Sequence, residues 1–276
     1  MISWRVKDQL REARFPMVMG IINGTPDSFH VPSRVRVDDA LRVTERMLED
    51  GATMIDIGGM STRPGAEEVN EAEEQHRAIP MIAAVASRFP EATLSIDTWR
   101  ATIAAEAIAA GASLVNDISA GALDEDMLPT VAKLGVPYIA MHMQGTPRTM
   151  QTDPRYADVV AEVTLSLSQR LHAAHAAGIA DVILDPGFGF GKTTAHNYAL
   201  LNRLGSVVAL GAPVMVGLSR KRMINEVLAT TAAEALNGTT ALNAIALLKG
   251  ASILRVHDVK EAVQCVKLVA ALHDQK

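Results

Sequence analysis

Eight short apolar runs recur along the chain, VMGII, TMIDI, TLSI, SLVN, PYIAM, DVILD, PVMVG and SILRV, each flanked by turn residues. Between them lie amphipathic stretches such as VDDALRVTERMLED, RATIAAEAIAA and RYADVVAEVTLSLSQRLHAAHAA, whose three-and-four-residue apolar spacing predicts helix. The joints are as regular as the elements. At Gly51, Gly111, Gly135, Gly178, Gly211 and Gly250 a glycine closes a helical stretch and a strand begins within a few residues, where a left-handed cap costs glycine no side-chain clash. One strand–helix unit is therefore used repeatedly, with no linker or composition shift to mark a second domain. Eight units in 276 residues predict an α/β fold, a single-domain TIM (β/α)8 barrel over residues 1–276, with residues 1–16 as an extension ahead of the first strand. An open doubly wound sheet would alternate in the same way, but it needs a reversal of strand order, and eight units at this length favour closure.

Composition fits that architecture. Hydrophobic residues make up 49% of the chain and aromatics only 4%, as expected where parallel strands are buried on both faces. With 26 basic against 31 acidic residues and a net charge of -5, no general affinity for nucleic acid or an anionic membrane is expected, so an anionic ligand must be gripped locally. The start, MISWRVKDQLREARFPMVMG, lacks the apolar run and cleavage site of a signal peptide, and no other stretch is long enough to span a bilayer. The single cysteine, Cys265, sits in a helical pattern and reads as a buried, inert thiol. A cytoplasmic protein is expected.

Asn23, Asp97, Asn116, His142, Asp185, Ser219 and His257 stand at or just past the carboxyl end of a run, the rim where barrels carry their chemistry. Acids and amides form one group: Asp97 in SIDT, Asn116 and Asp117 in VNDIS, Asp185 in ILDPG. An ionised acid accepts two parallel donors, so these suit a flat heterocycle of guanine or pterin type. Cations form the other: Arg63 in STRPGA, the run SRKR from Ser219 to Arg222, and Arg255 with His257 in RVHD. On an acidic chain they read as a clamp for phosphate or diphosphate. Arg255 lies inside an apolar run, where an unpaired charge would be costly.

Two long loops, NGTPDSFHVPSRV and GGMSTRPGAEEV, follow the first two strands and read as lids. DPGFGFGKT is not a nucleotide loop: Pro186 stands where a P-loop needs its first glycine, and Gly187, Gly189 and Gly191 are too evenly spaced for a dinucleotide turn. His172 and His175 share a helical face without acids nearby and read as a surface pair. A metal acting here would be Mg2+, held mainly by substrate phosphates and an oxygen group such as Asn23.

The segments MGIINGTPDSF, IDIGGMSTRPGA, SIDT, VNDISAG, MHMQGTP, LDPGFGFGKT, GLSRK and LRVHDVKEAV occur in order over nearly all the sequence. Through them the chain closely resembles the dihydropteroate synthase family. That resemblance implies a transferase joining 6-hydroxymethyl-7,8-dihydropterin diphosphate to para-aminobenzoate, with Mg2+ and a homodimer. It implies that Asp97, Asn116, Asp185 and Lys221 hold the pterin between Ile118 and Met141, and that Asn23, Thr62, Arg63, Arg255 and His257 hold the diphosphate and its metal. Pro64, Phe190, Ser219 and Lys221 would border the aminobenzoate pocket, where sulfonamides act as mimics. Lys192 and Thr193 would only start the next helix.

Four features depart from the common family pattern: Gly24 in place of a β-branched residue, Met60 in place of glutamate, HVPSR after DSF, and Arg222 in place of a small residue. Arg222 would attract or obstruct the aminobenzoate carboxylate. The rival readings are a methyltetrahydrofolate-binding methyltransferase domain, whose substrate carries no diphosphate, and a pterin-binding homologue that no longer catalyses.

Overall fold

Residues 2–6, 9–13, 16–24, 33–60 and 69–273 are described by the structure, a computed structural model. The chain opens with an antiparallel hairpin, β1 (Ile2–Val6) and β2 (Gln9–Ala13). Eight parallel strands follow: β3 (Met17–Asn23), β4 (Met54–Gly58), β5 (Thr93–Asp97), β6 (Leu114–Asp117), β7 (Tyr138–Met141), β8 (Val182–Asp185), β9 (Met215–Val216) and β10 (Ile253–Val256). Their order is β8-β7-β6-β5-β4-β3-β10-β9. A parallel bridge between Leu184 and Val214 joins β8 to β9 and closes the ring; there Leu184 N–H donates to the Pro213 carbonyl at 2.9 Å.

Helices α1 (Ser33–Glu49), α2 (Glu71–Arg88), α3 (Ala101–Ala110), α4 (Met127–Leu134) and α5 (Val159–Ala176) are described in the first part of the barrel. The second part holds α6 (Thr194–Asn202), α7 (Gly205–Val208), α8 (Arg222–Leu228), α9 (Leu236–Leu248) and α10 (Val259–His273). The expected glycine joints all take positive φ, from 62° at Gly135 to 119° at Gly111. Helix α5 starts later than the apolar spacing suggests, because Asp158 caps it by accepting from the Val160 and Ala161 amides. His172 and His175 are exposed on it, as expected of a surface pair. Cys265 is a buried free thiol.

The barrel interior is apolar at one end and polar at the other. Met17, Met19, Met54, Leu114, Ile139, Ile183, Met215 and Ile253 form a buried floor, with Trp4 of the hairpin packed into it. Side chains two apart on a strand share a face. One such step along the strands replaces Met54 by Asp56, Leu114 by Asn116, Ile183 by Asp185 and Ile253 by Arg255. The carboxyl end of the barrel thus carries a layer of acids, an amide and a cation on an aliphatic floor.

Trp4, 5% exposed, closes that floor at the end opposite the polar layer. Trp4→Ala is expected to lower unfolding stability by about 3–5 kcal/mol, the usual cost of deleting a buried aromatic. Urea denaturation would measure the loss; an unchanged midpoint would show that the hairpin contributes nothing to the barrel.

Candidate active site

The polar layer centres on Arg255. Its Nε donates to Asp56 Oδ2 at 2.7 Å and a terminal nitrogen to Asp97 Oδ2 at 2.7 Å. Asn116 Nδ2 donates to the same Asp56 oxygen at 2.9 Å. Asp56 is fully buried, and Asp97 and Asn116 are 4% and 3% exposed. Burial lifts the Asp97 carboxyl to about 7 despite the pull of Arg255, with Asp56 adding to the rise. Burial disfavours the Arg255 charge, but Asp56 and Asp97 together hold its pKa above the usual guanidinium range. One oxygen each of Asp56 and Asp97, Oδ1 in both, is buried without a hydrogen-bond partner among the described residues. Such an acceptor is costly to leave unfilled, which marks Asp97 Oδ1 as a place for a ligand donor.

Asp185, ending β8, is 5% exposed and accepts the Gly187 amide at 2.7 Å. Burial raises its pKa, against Lys221, the Gly187 amide and Arg255. Lys221 donates to the Phe188 carbonyl and places its ammonium 4.9 Å from the centre of the Phe190 ring, within range of a cation–π contact. Burial brings its pKa down to about 8, with Asp185 opposing the fall. Phe190 packs on an apolar cluster of Met60, Trp99, Ile118 and Met141.

On the other side, Ser219 Oγ lies 2.9 Å from His257 Nδ1 and accepts the His257 amide at 3.2 Å. Asn23 is exposed at the end of β3. A cavity of about 970 Å³ is lined by Asn23, Phe190, Ser219, Lys221, Arg255 and His257, among others, with Arg222 at its border. Asp97 meets this wall through its bond to Arg255, Asn116 through Asp56, and the Asp185 carboxyl feels both Lys221 and Arg255. The expected convergence of acceptors and cations at one end of the barrel is thus present. Thr62, Arg63, Pro64 and most of both long loops lie outside the described residues.

Three expectations change. Of the three cations in the SRKR run, two are paired with carboxylates, and Lys221 has none within ion-pair distance among the described residues. Arg220 forms a two-pronged pair with Asp258 at 2.8 Å and 2.8 Å, and Arg222 pairs with Glu226 on the surface. Asp117 is structural: its oxygens take the Ser119 amide and hydroxyl, the Gly121 amide and the Tyr138 hydroxyl. Lys192 does more than start a helix. That task falls to Thr193, which caps α6 through the His196 amide at 3.1 Å, whereas Lys192 is 2% exposed with its ammonium on backbone carbonyls and His142. Its aliphatic stem must therefore run inward.

The sequence reading passed over Asp56 and Gln151. Asp56 carried the same signal as Arg255, an ionisable residue inside an apolar run. Gln151, which lines the cavity and donates to the Gly189 carbonyl at 2.5 Å, carried none. Two departures have local partners: a Cβ at Gly24 would fall 2.4 Å from the Met81 methyl, so Met81 fills that space, and Met60 is buried in the apolar cluster.

A model of the pterin binding enzyme family matches residues 19–257. The dihydropteroate synthase of Haemophilus influenzae is 46% identical over 256 residues, 92% of each chain. A Yersinia pestis dihydropteroate synthase crystallised with a sulfonamide drug superposes with a TM-score of 0.91 at 43% identity, covering 99% of this chain and 100% of that one. The Xanthomonas albilineans enzyme in complex with 7,8-dihydropteroate gives 0.87 at 37% identity, covering 99% of both chains. With this similarity running through the strands that carry Asp97, Asn116, Asp185 and Arg255, the chain belongs to the pterin binding enzymes and, within them, to the dihydropteroate synthase family.

Proposed function

We propose that this chain joins 6-hydroxymethyl-7,8-dihydropterin diphosphate to para-aminobenzoate, releasing diphosphate and forming 7,8-dihydropteroate. The observation that carries the reading is the juxtaposition of the Asp97 and Asp185 carboxylates with Arg255 and Lys221 at one end of the barrel. Asp97, Asn116 and Asp185 take the pterin's ring N–H and amino groups, between Ile118 and Met141. Arg255 and His257, with Asn23 at the cavity edge, take the diphosphate. A methyltetrahydrofolate would leave this cationic side unused.

Breaking the carbon–oxygen bond leaves negative charge on diphosphate and a cation on the pterin. Fixed cations stabilise the first and the buried carboxylates the second. Diphosphate departs first, because the cation so formed lets a neutral aromatic amine add without a strong base; the nitrogen of the new carbon–nitrogen bond then sheds its proton to the released diphosphate. Phe190, Ser219 and Lys221 border the amine, with Arg222 at the lip. Because Arg222 is exposed and already paired with Glu226, its pull on the aminobenzoate carboxylate is weak.

Among the described residues no group of three or more His, Cys, Asp or Glu could hold a metal. The donor set fits Mg2+ bound mainly through substrate phosphates, with Asn23 at the cavity edge as its protein oxygen. When bound, the ion would neutralise the departing charge. Ile245 and Leu248 on α9 and Leu268 and Leu272 on α10 are exposed on helices that pack together; we assign this face to a homodimer contact. Among the described residues no helix is long and apolar enough to cross a membrane, and we place the chain in the cytoplasm.

Three measurements test the reading. Diphosphate release from the pterin substrate should be sustained only when para-aminobenzoate is present; release independent of it, or none, would overturn the assignment. Arg255→Ala should lower kcat/KM by about 100- to 1,000-fold, as for loss of one donor to a developing charge. It should also cost about 3–5 kcal/mol of stability, because Asp56 and Asp97 are left facing each other. Finally, kcat/KM for the pterin substrate should follow a bell. It rises as Asp97 loses its proton near 7 and becomes an acceptor, then falls as Lys221 loses its charge near 8. Lys221→Arg should remove the alkaline limb, and a limb that persists in that variant would belong to another group.

A further inference from the structure

Lys192 has no part in the chemistry above, yet it is among the most enclosed cations of the chain. Its ammonium lies 2.9 Å from the Gly187 carbonyl, 3.0 Å from the Phe190 carbonyl and 2.9 Å from His142 Nδ1. The His142 carbonyl adds a longer contact at 3.4 Å, so three N–H donors face four acceptors, two on the loop after β8 and two just past β7. For His142 to accept at Nδ1, its ring must be neutral with the proton on Nε2. Burial first, and then the Lys192 charge, hold it in that form by lowering its pKa to about 3. The loop lies against the same segment throughout: a Cβ at Gly187 would fall 1.9 Å from the His142 carbonyl oxygen, and one at Gly191 would fall 2.5 Å from that of Gln144.

Two further ties repeat the pattern. Gln151 donates to the Gly189 carbonyl at 2.5 Å and Tyr156 to the Gly191 carbonyl at 2.8 Å. From the cavity side, Lys221 holds the Phe188 carbonyl and stacks on Phe190. A buried apolar side chain would cost less than a buried ammonium, so a lysine here points to a requirement of geometry beyond filling space.

We propose that Lys192 is a positioning residue for the second substrate: its ammonium staples the loop after β8 to the end of β7 and so sets the height of Phe190 at the aminobenzoate pocket. This role rests on the dihydropteroate synthase reading. Lys192→Met should raise the aminobenzoate KM by about tenfold or more, the scale of a lost charged hydrogen bond. Binding of the pterin diphosphate alone, by calorimetry, should weaken by a clearly smaller factor than the aminobenzoate KM rises, since Asp185 keeps its strand and the Gly187 amide and loses only Lys192, the weakest of its cationic neighbours. His142 supplies an independent pair of variants. His142→Asn puts a carbonyl oxygen near the place of Nδ1 and should keep the aminobenzoate KM close to wild type, whereas His142→Leu removes the acceptor and should raise it. Equal losses in both substrates, no change in either, or matching values for His142→Asn and His142→Leu would overturn the proposal. If Lys192→Met does not fold, the His142 pair decides. Wild-type protein that fails to turn over would instead remove the reading on which this role depends.

Discussion

A guanidinium inside a parallel barrel can exist only if carboxylates are built to meet it, and the site follows from that requirement. Arg255 replaces the apolar residue expected at its step on β10, and it is met by Asp56 on β4 and by Asp97 on β5, which stands two residues further along in register. Two acids facing one cation offer more acceptor oxygens than it can fill. Two of those oxygens, one on each acid, have no partner among the described residues. Such a cluster is poor at stabilising a fold, because desolvation consumes most of the Coulomb attraction. Its cost falls on the aliphatic floor beneath, where methionine, isoleucine and leucine from all but one of the eight strands pack with Trp4. What the cluster contributes is a preset arrangement of acceptors and charge that needs no reorganisation when a pterin with a charged tail arrives.

The two halves of the site differ in how they are built. Asp97, Asn116, Asp185 and Arg255 stand on strands, where register fixes each side chain against its neighbours. The pocket for the second substrate is made of loops, and loops hold a position only when tied. The ties are visible at Lys192, Gln151, Tyr156 and Lys221, each engaging a different part of the glycine-rich turn. Arg220 performs the same service for its own loop. It adopts a positive φ of 56° and is held there by Asp258 and the Ala232 and Ala233 carbonyls, so that Ser219 and Lys221, on either side of it, reach the cavity.

Much of this was legible in the sequence because periodicity and glycine joints are local signals. The eight strands, the six left-handed caps and the polar residues at strand ends follow from spacing alone. The N-terminal hairpin was not legible: its charged and apolar residues alternate without a turn motif, and its role depends on a floor assembled from distant strands. The basic run misled because sequence shows charges but not their partners; Asp258 lies 38 residues from Arg220. Lys192 was hidden for the converse reason. A lysine ahead of a capping threonine looks like a surface residue until the turn before it is seen to fold back over its side chain.

These differences bear on where the chain departs from its family. Gly24, Met60 and Arg222 all sit on the loop-built half, and the two whose surroundings are enclosed have local compensation, Met81 for the missing Cβ and Trp99, Ile118 and Met141 around the methionine. A change on the strand-built half would have to satisfy Asp56, Asp97, Asn116 and Arg255 together, since altering one leaves a buried charge or acceptor without its partner. A change at a loop must satisfy only the neighbour that touches it. On the proposed assignment, the pterin ring therefore falls to the part of the barrel least able to vary, while the contact with the incoming amine is left to residues that can be exchanged one at a time.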